Sequence, residues 1–393
     1  MMEFIKQELD RKSIFIDEAK LSFDFIPDKL IHRDEEFKLL TQTFLPLIKS
    51  THFSTKNVLI TGNNGSGKTA LCKRFGHSFE QIAKDFGKNI KYIHINCRLN
   101  KSNYIILKKS INYLQHEVPE KGYSLYELVS LLKKILDANN MHIILTLDEI
   151  NFLNLKDDNL IYMLNRLNDD SMGNDSRISI IGIEKNLTFI QNLDLSTISS
   201  FQYNIISLKP YSSEQIFDIL QFRAKLSLKG ESFSTDILTF ISKIAAKNGD
   251  MRYALEILYK AAKYADQRNL DNITPECIRY AQGCTFENFD FNTLKILSQN
   301  EKIVLSVICR GLLSTKTSTI RLNELKQIYS MVCEEINVVE IKRTHFYVIL
   351  NRLKDLEYIS INQPESKKKG DNSSISIDNI PVQLLENEVL KLL

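Results

Sequence analysis

Eight consecutive residues, Gly62-Asn-Asn-Gly65-Ser66-Gly67-Lys68-Thr69, form the segment of this chain best suited to chemistry. Glycines at this spacing let successive backbone N–H groups wrap phosphate oxygens, and a helix beginning directly behind them adds positive potential. Lys68 reaches toward the β- and γ-phosphates of a nucleotide, and the Thr69 hydroxyl offers an oxygen ligand to Mg²⁺. Gly62, Gly65, Ser66, Gly67, Lys68, Thr69 and Ala70 are therefore candidate phosphate-binding residues. Further along, an apolar run ending at Leu147 delivers Asp148 and Glu149. Beside a phosphate loop, Asp148 would ligate Mg²⁺ and Glu149 would polarise an attacking water. Without such a loop, Asp-Glu after a strand is an ordinary loop start.

These residues can meet only if strands carry them to one edge. Five apolar runs supply the strands: Asn57–Thr61, Ile90–Ile95, His142–Leu147, Ile178–Ile183 and Asn204–Leu208. Near-continuous Ile/Val/Leu runs separated by helical patterns predict an α/β fold with a parallel sheet covered on both faces. From Ser212 to about Gly283 amphipathic helices replace strands. Ser212 with Gln215 starts one helix, and Thr274-Pro275-Glu276 starts another. After a Phe/Asn-rich link near Thr285 to Asn292, helices are predicted from about Ser298, Leu322 and Thr344. Strands at Tyr358–Asn362 and Ser374–Asp378 then flank a Lys-rich loop. Three helices followed by a hairpin outline a winged helix-turn-helix. The division predicted is residues 1–205 for a P-loop base with an insertion at about 98–121, 206–290 for a helical lid, and 291–393 for the winged helix.

Composition agrees with several packed domains. The chain has 393 residues, 43% hydrophobic and 25% charged, which excludes a disordered, collagenous or single small module. Six cysteines without a C-x-x-C pair and seven histidines without H-x3-H spacing indicate neither a zinc site nor a disulfide framework. No run approaches the length of a membrane span, and the first residues lack a signal peptide's apolar core. A cytoplasmic setting with no membrane partner is expected. The net charge of +3 does not by itself indicate a nucleic-acid partner. The basic charge is local instead. Residues 86–116 contain Lys88, Lys91, Arg98, Lys101, Lys108 and Lys109 and no acid, and Ile341–Lys354 contains Lys342, Arg343, Arg352 and Lys354 and no acid.

The sheet-plus-lid layout, with Gly249-Asp-Met-Arg252-Tyr-Ala-Leu255 in the lid, resembles the AAA+ ATPases, in which an arginine of that motif senses the γ-phosphate. Arg252 is the match. Three further segments narrow the resemblance to the archaeal members of the origin-recognition and cell-division-control initiator family. They are Leu21 to Glu36, Leu208-Lys-Pro-Tyr211 through Arg223, and Leu297-Ser-Gln-Asn-Glu-Lys-Ile-Val-Leu. The resemblance implies ATP or ADP with Mg²⁺, held additionally by His32, Arg33, Tyr211, Arg223 and Arg252. By themselves, Tyr211 also fits a packed aromatic, and His32 with Arg33 an exposed polar turn.

The resemblance further implies a replication initiator whose nucleotide state switches its conformation on double-stranded origin DNA. A replicative helicase is a further implied partner, with the chain monomeric in solution or assembling on DNA. The insertion would touch DNA through Lys101, Lys108 and Lys109. The winged helix would use Lys342, Arg343, Thr344 and His345 at its recognition helix and Lys367, Lys368 and Lys369 at its wing, with Phe346 and Ile349 in the core.

Two departures from the family pattern stand out. Gly182-Ile-Glu184-Lys185-Asn186 replaces the family's Gly-Ile-Ser-Asn, and Leu193-Asp194-Leu195-Ser196-Thr197 stands where Asp-Pro-Arg is common. An arginine finger is worth about 10³–10⁵ in rate, so slow hydrolysis is expected. Two other classes share the layout. A clamp-loader-like subunit usually carries Ser-Arg-Cys, where this chain has Ser199-Ser200-Phe201. A signalling or defence ATPase would use its winged helix to dock proteins.

Overall fold

A computed structural model describes residues 12–114, 122–153, 160–169, 176–185, 201, 204–247, 249–283, 291–336, 338–356, 358–362, 373–378 and 380–393. These residues pack into two compact units. One is drawn from the described residues within 26–215 and 249–251, the other from those within 12–25, 216–247 and 252–393.

The first unit is built on five parallel strands: β1 (Val58–Gly62), β2 (Ile90–Asn96), β3 (His142–Asp148), β4 (Ile178–Ile183) and β5 (Ile205–Leu208), in the order β2-β3-β4-β1-β5. β3 and β4 are buried at every position, whereas β5 at the edge alternates exposed and buried. Central strands of a doubly covered sheet read as unbroken apolar runs for this reason. α1 (Asp34–Phe44) and α2 (Lys68–Asp85) cover one face, where Leu40, Phe44, Leu71 and Phe75 pack with Ile60 and Ile181. α3 (Asn103–Tyr113), α4 (Leu125–Ala138) and α5 (Leu160–Asp169) cover the other, with Ile106, Leu132 and Leu164 against Leu59, Leu145 and Ile180. Neighbouring residues of β1 thus serve opposite faces, as the strand period of two requires.

The second unit joins the lid helices to the winged helix. The lid comprises α6 (Ser213–Ser227), α7 (Thr235–Ala246), α8 (Met251–Gln267) and α9 (Pro275–Gly283). The winged helix comprises α10 (Gln299–Thr315), β6 (Thr319–Arg321), α11 (Leu322–Glu335), α12 (Arg343–Asp355), β7 (Ser360–Asn362), β8 (Ser374–Ser376) and α13 (Val382–Leu390). Its three short strands pair antiparallel in the order β6-β8-β7. Helix starts follow local chemistry. Ser298 and Glu301 form a reciprocal capping box, as do Ser212 and Gln215, and α9 opens on Pro275.

Arg279 of α9 ties the two halves of this unit together. Its guanidinium is buried and donates to the carbonyls of Ile377 (2.9 Å) and Ser318 (3.3 Å). Glu276, one turn earlier, accepts from the N–H groups of Val382 and Gln383 at the start of α13. Asp236 of α7 accepts from the Ser318 hydroxyl at 2.8 Å.

Three features of the packing bear on where these segments lie. β5 keeps residues up to Leu208 in the sheet, beyond 205. Residues 12–25 pack with the lid rather than with the base, through a bridge between Phe15 and Leu228 and through Glu18, which accepts from Tyr259 and Lys263 (2.6 Å each). The lid helices from 216 onward and the winged helix fall within one compact unit. β6 and α13 were not expected from the sequence. Three residues are too few for a readable alternation, and β6 exists only because β8 lies beside it. Among the described residues, no helix is long and apolar enough to cross a membrane.

Candidate functional site

The phosphate-loop motif folds as a turn between β1 and α2. Gly65 and Gly67 take φ of +71° and +91°, values that L side chains rarely adopt. A Cβ on Gly65 would lie 1.8 Å from Asp250 Oδ1, and one on Gly67 would lie 2.8 Å from the Tyr211 hydroxyl. The glycines therefore serve two ends: they free the backbone, and they let other segments approach it from behind. The first turn of α2 carries no acid, so the positive potential of its N-terminus is unopposed. Lys68 Nζ lies across the loop, donating to the carbonyls of Gly62 (2.6 Å) and Asn63 (2.8 Å). Ala70 follows in the first turn of α2.

Thr69 and Asp148 meet directly, the Thr69 hydroxyl donating to Asp148 Oδ2 at 2.8 Å. β3 ends on Asp148, and the parallel register sets it beside Asn96 at the end of β2. His94 of β2 also reaches it: Nε2 lies 3.2 Å from Oδ2, while the Tyr92 hydroxyl lies 3.1 Å from Nδ1. Burial pushes the Asp148 carboxyl up, but the His94 ring and the Thr69 hydroxyl more than offset this and hold it below its ordinary value. Glu149 sits in the left-handed region at φ +54°, with Oε2 buried and without a hydrogen-bond partner among the described residues. A non-glycine residue held in that region signals local strain, which collects at working sites.

Arg33 and Tyr211 brace the loop from behind. The Arg33 guanidinium is buried, donating through Nε (3.1 Å) and Nη2 (2.8 Å) to the Ser66 carbonyl and through Nη2 to the Lys209 carbonyl (2.9 Å). It stacks on the Tyr211 ring at 4.0 Å and pairs with Glu36 at 3.1 Å. Arg33 is thus not part of an exposed polar turn, and Tyr211 is a packed aromatic whose ring and hydroxyl lie against Arg33 and Gly67. His32, beside Arg33, takes φ +61°. From Gly249-Asp-Met-Arg252, Asp250 packs on Gly65 and the Met251 N–H donates to the Gly65 carbonyl at 3.3 Å. Arg252 lies in the first turn of α8. Arg223 holds the N-terminal segment, donating to the carbonyls of Lys20 (2.7 Å), Ser22 (2.6 Å) and Phe25 (3.3 Å). In the stretch that departs from the family's Gly-Ile-Ser-Asn, Glu184 directly follows β4 and is buried, its N–H donating to the Ile60 carbonyl at 3.0 Å. Asn186 and Leu193–Thr197 lie outside the described residues.

The arrangement fits a nucleotide phosphate group with Mg²⁺. The loop presents glycines at positive φ, and Ser66 Oγ is buried without a hydrogen-bond partner among the described residues. Thr69 and Asp148 offer the hard oxygen ligands that Mg²⁺ prefers.

The basic residues divide between two surfaces. Lys101 and Lys109 are exposed and Lys108 half-buried, at and before α3. Arg343, Thr344 and His345 are exposed in the first turn of α12, with Lys342 at its N-cap, while Phe346 and Ile349 lie in the core. Arg352 pairs with Glu301 at 2.8 Å. Lys367, Lys368 and Lys369 lie outside the described residues.

Sequence reasoning missed His94 and Asp250 at the nucleotide site and Arg279 at the lid. The position of Asp250 inside a recognised tetrapeptide was a usable signal. For His94 there was none, because nothing local says that β2 adjoins β3.

Comparison with known proteins matches three stretches of the chain to described families. Residues 51–187 match an AAA domain, 217–283 a Cdc6 AAA+ ATPase-type lid domain, and 292–386 the CDC6 C-terminal winged helix domain. The chain is 30% identical over 366 residues to ORC1-type DNA replication protein 2 of Saccharolobus solfataricus, covering 91% of this chain and 89% of that protein. It is 28% identical over 390 residues to ORC1-type DNA replication protein 1 of Methanosarcina acetivorans, covering 98% and 93%. Its fold is similar to the crystal structure of Cdc6p from Pyrobaculum aerophilum, with a TM-score of 0.82 and 26% identity over 97% of this chain and 98% of that one.

Proposed function

Because the chain belongs to the ORC1/Cdc6 family of AAA+ DNA replication proteins, we propose that it is a replication initiator that binds ATP or ADP and grips double-stranded origin DNA. One observation carries the nucleotide half of this reading. The Thr69–Asp148 pair stands beside a glycine loop that Arg33, Tyr211 and Asp250 support from behind. Mg²⁺, when bound, neutralises phosphate charge. Thr69 and Asp148 would hold it, and the backbone N–H groups of Gly65 to Ala70 with Lys68 would hold the phosphates. Glu149 would orient the attacking water. His32, Arg33 and Tyr211 would shape the site, while Arg223 would fix the N-terminal segment beside the lid and Arg252 would report the phosphate to it.

Without an arginine in Leu193–Thr197, hydrolysis is slow, and the bound nucleotide acts chiefly as a conformational switch. The winged helix with Lys342, Arg343, Thr344, His345 and the wing lysines, and the insertion with Lys101, Lys108 and Lys109, hold the duplex. A replicative helicase is the partner that such an initiator would engage. The division into base, lid and winged helix follows the same lines.

The deciding experiment is fluorescence anisotropy on the organism's own candidate origin duplexes with ATP and with ADP. Salt-sensitive binding that changes with nucleotide, and loses that response in Lys68→Ala, is expected. Absence of duplex affinity at low salt would refute the reading.

A further inference from the structure

The recognition helix α12 buries Phe346, Ile349, Leu350 and Leu353 in the winged-helix core. Its opposite side carries Thr344, His345, Val348 and Asn351, all exposed, three and four residues apart and therefore on one strip. Val348 stands in the middle of that strip, 61% exposed.

A single exposed apolar residue needs no explanation; its surroundings make this one informative. The strip runs through Ile341–Lys354, which contains no acid in a chain with 48 of them. Arg352 Nε pairs with Glu301 at 2.8 Å. Arg352 thus lies at the flank of the strip, with one nitrogen engaged by a carboxylate. What the centre of the strip offers a duplex is a branched hydrocarbon and, one turn on, a primary amide.

The major groove has a matching pair of features. Thymine presents a C5-methyl group, and adenine presents N7 and N6–H₂, which a side-chain amide contacts with two hydrogen bonds. Three residues along a helix advance about 4.5 Å, close to the roughly 3.4 Å between base pairs. Residues 348 and 351 thus address neighbouring base pairs. We propose that Val348 and Asn351 are the specificity-determining residues of the winged helix, reading an A·T-rich step through a thymine methyl and an adenine edge while the basic residues around them hold phosphate. This rests on the reading that the winged helix holds duplex DNA.

The test selects a preferred duplex from a random library with the full chain, then replaces thymine by deoxyuridine at each selected position in turn. At one position the loss of the methyl should weaken wild-type binding about four-fold, the worth of one buried methyl group. Val348→Ala should show the same loss on the thymine duplex and no further loss on deoxyuridine, whereas Val348→Thr, which keeps a methyl, should retain the discrimination. Asn351→Ala should lose about ten-fold or more and relax the preference at the adjacent pair. Binding that is indifferent to the methyl at every position, or a selected site of G·C pairs only, overturns this proposal alone. No duplex binding at all overturns it together with the function on which it rests.

Discussion

Replacing Arg279 should separate two contributions that the second unit combines. Arg279→Met keeps most of the volume but removes the donors to the Ile377 and Ser318 carbonyls. Each buried carbonyl left unsatisfied costs about 1–3 kcal/mol. Against this, burial already pushes the guanidinium pKa down, so relieving its desolvation returns part of the loss. Glu276, its partner at 3.5 Å, is 28% exposed, so water can take over that carboxylate. The net expectation for Arg279→Met is a loss of about 2 kcal/mol. Arg279→Ala adds a cavity beside Phe240 and should lose about 4 kcal/mol. For a unit of this size about 1 kcal/mol moves Tm by roughly 2–4 °C, so Arg279→Met should melt about 4–8 °C lower. Hydrogen exchange read by mass spectrometry assigns the loss: amides of α9, β8 and the start of α13 should lose protection together, while the sheet of the other unit stays protected. Arg279→Met as stable as the parent chain would show that the two carbonyl bonds contribute nothing net, and protection lost evenly across both units would show that Arg279 is no local tie.

Three further outcomes follow from the same geometry. Gly65→Ala must place a side chain in a left-handed conformation and against Asp250, so nucleotide affinity should drop at least ten-fold, of the order that about 1–2 kcal/mol of backbone strain alone approaches; unchanged binding of a fluorescent nucleotide would contradict this. His94→Ala removes the group that hydrogen-bonds to Asp148 and should weaken the Mg²⁺ dependence of nucleotide binding about 10–100-fold, as loss of a ligand's supporting partner does; a titration with Mg²⁺ checks it, and an unshifted midpoint rejects it. Burial pushes the Glu18 carboxyl up, but hydrogen bonds from Lys263 and Tyr259 hold it below its ordinary 4.5, while Tyr259 is pushed up to about 12 by its bond to Glu18. The depressed carboxyl contributes stability above pH 4.5 that is lost as pH falls through its folded value, and the raised phenol contributes below pH 10 and is lost between 10 and about 12. Glu18→Gln should remove both limbs from the pH dependence of unfolding, and a profile unchanged from the parent would exclude the contact.

Legibility from sequence followed the distance over which each feature is encoded. The phosphate loop is contiguous, and its conformation is dictated by glycines within it. The central strands β3 and β4 were readable because both faces are covered and nearly every residue is apolar, and β1, β2 and β5 because Ile, Val and Leu dominate each short run. The capping pairs at Ser212 and Ser298 span three residues each and formed as their spacing required. The strand β6 failed that standard, being three residues paired to a strand more than fifty residues away.

Arg33, His94, Asp250 and Arg279 mark the other limit. Arg33 acts on a carbonyl 33 residues away, His94 on a carboxylate 54 away, and Arg279 on a carbonyl 98 away. The family resemblance implied that Arg33 helps hold the nucleotide, and the residues alone fitted an exposed polar turn; in the fold it is buried against the loop's Ser66 carbonyl. By itself the sequence determined which groups can bind phosphate and which segments form strands and helices, because those properties reside in neighbouring residues and their period. Only the tertiary structure decided which strand ends lie side by side and which distant cations are buried against which carbonyls. Crossover connections set strand neighbours without regard to order along the chain, and a buried guanidinium is tolerated only where folding brings enough carbonyls around it.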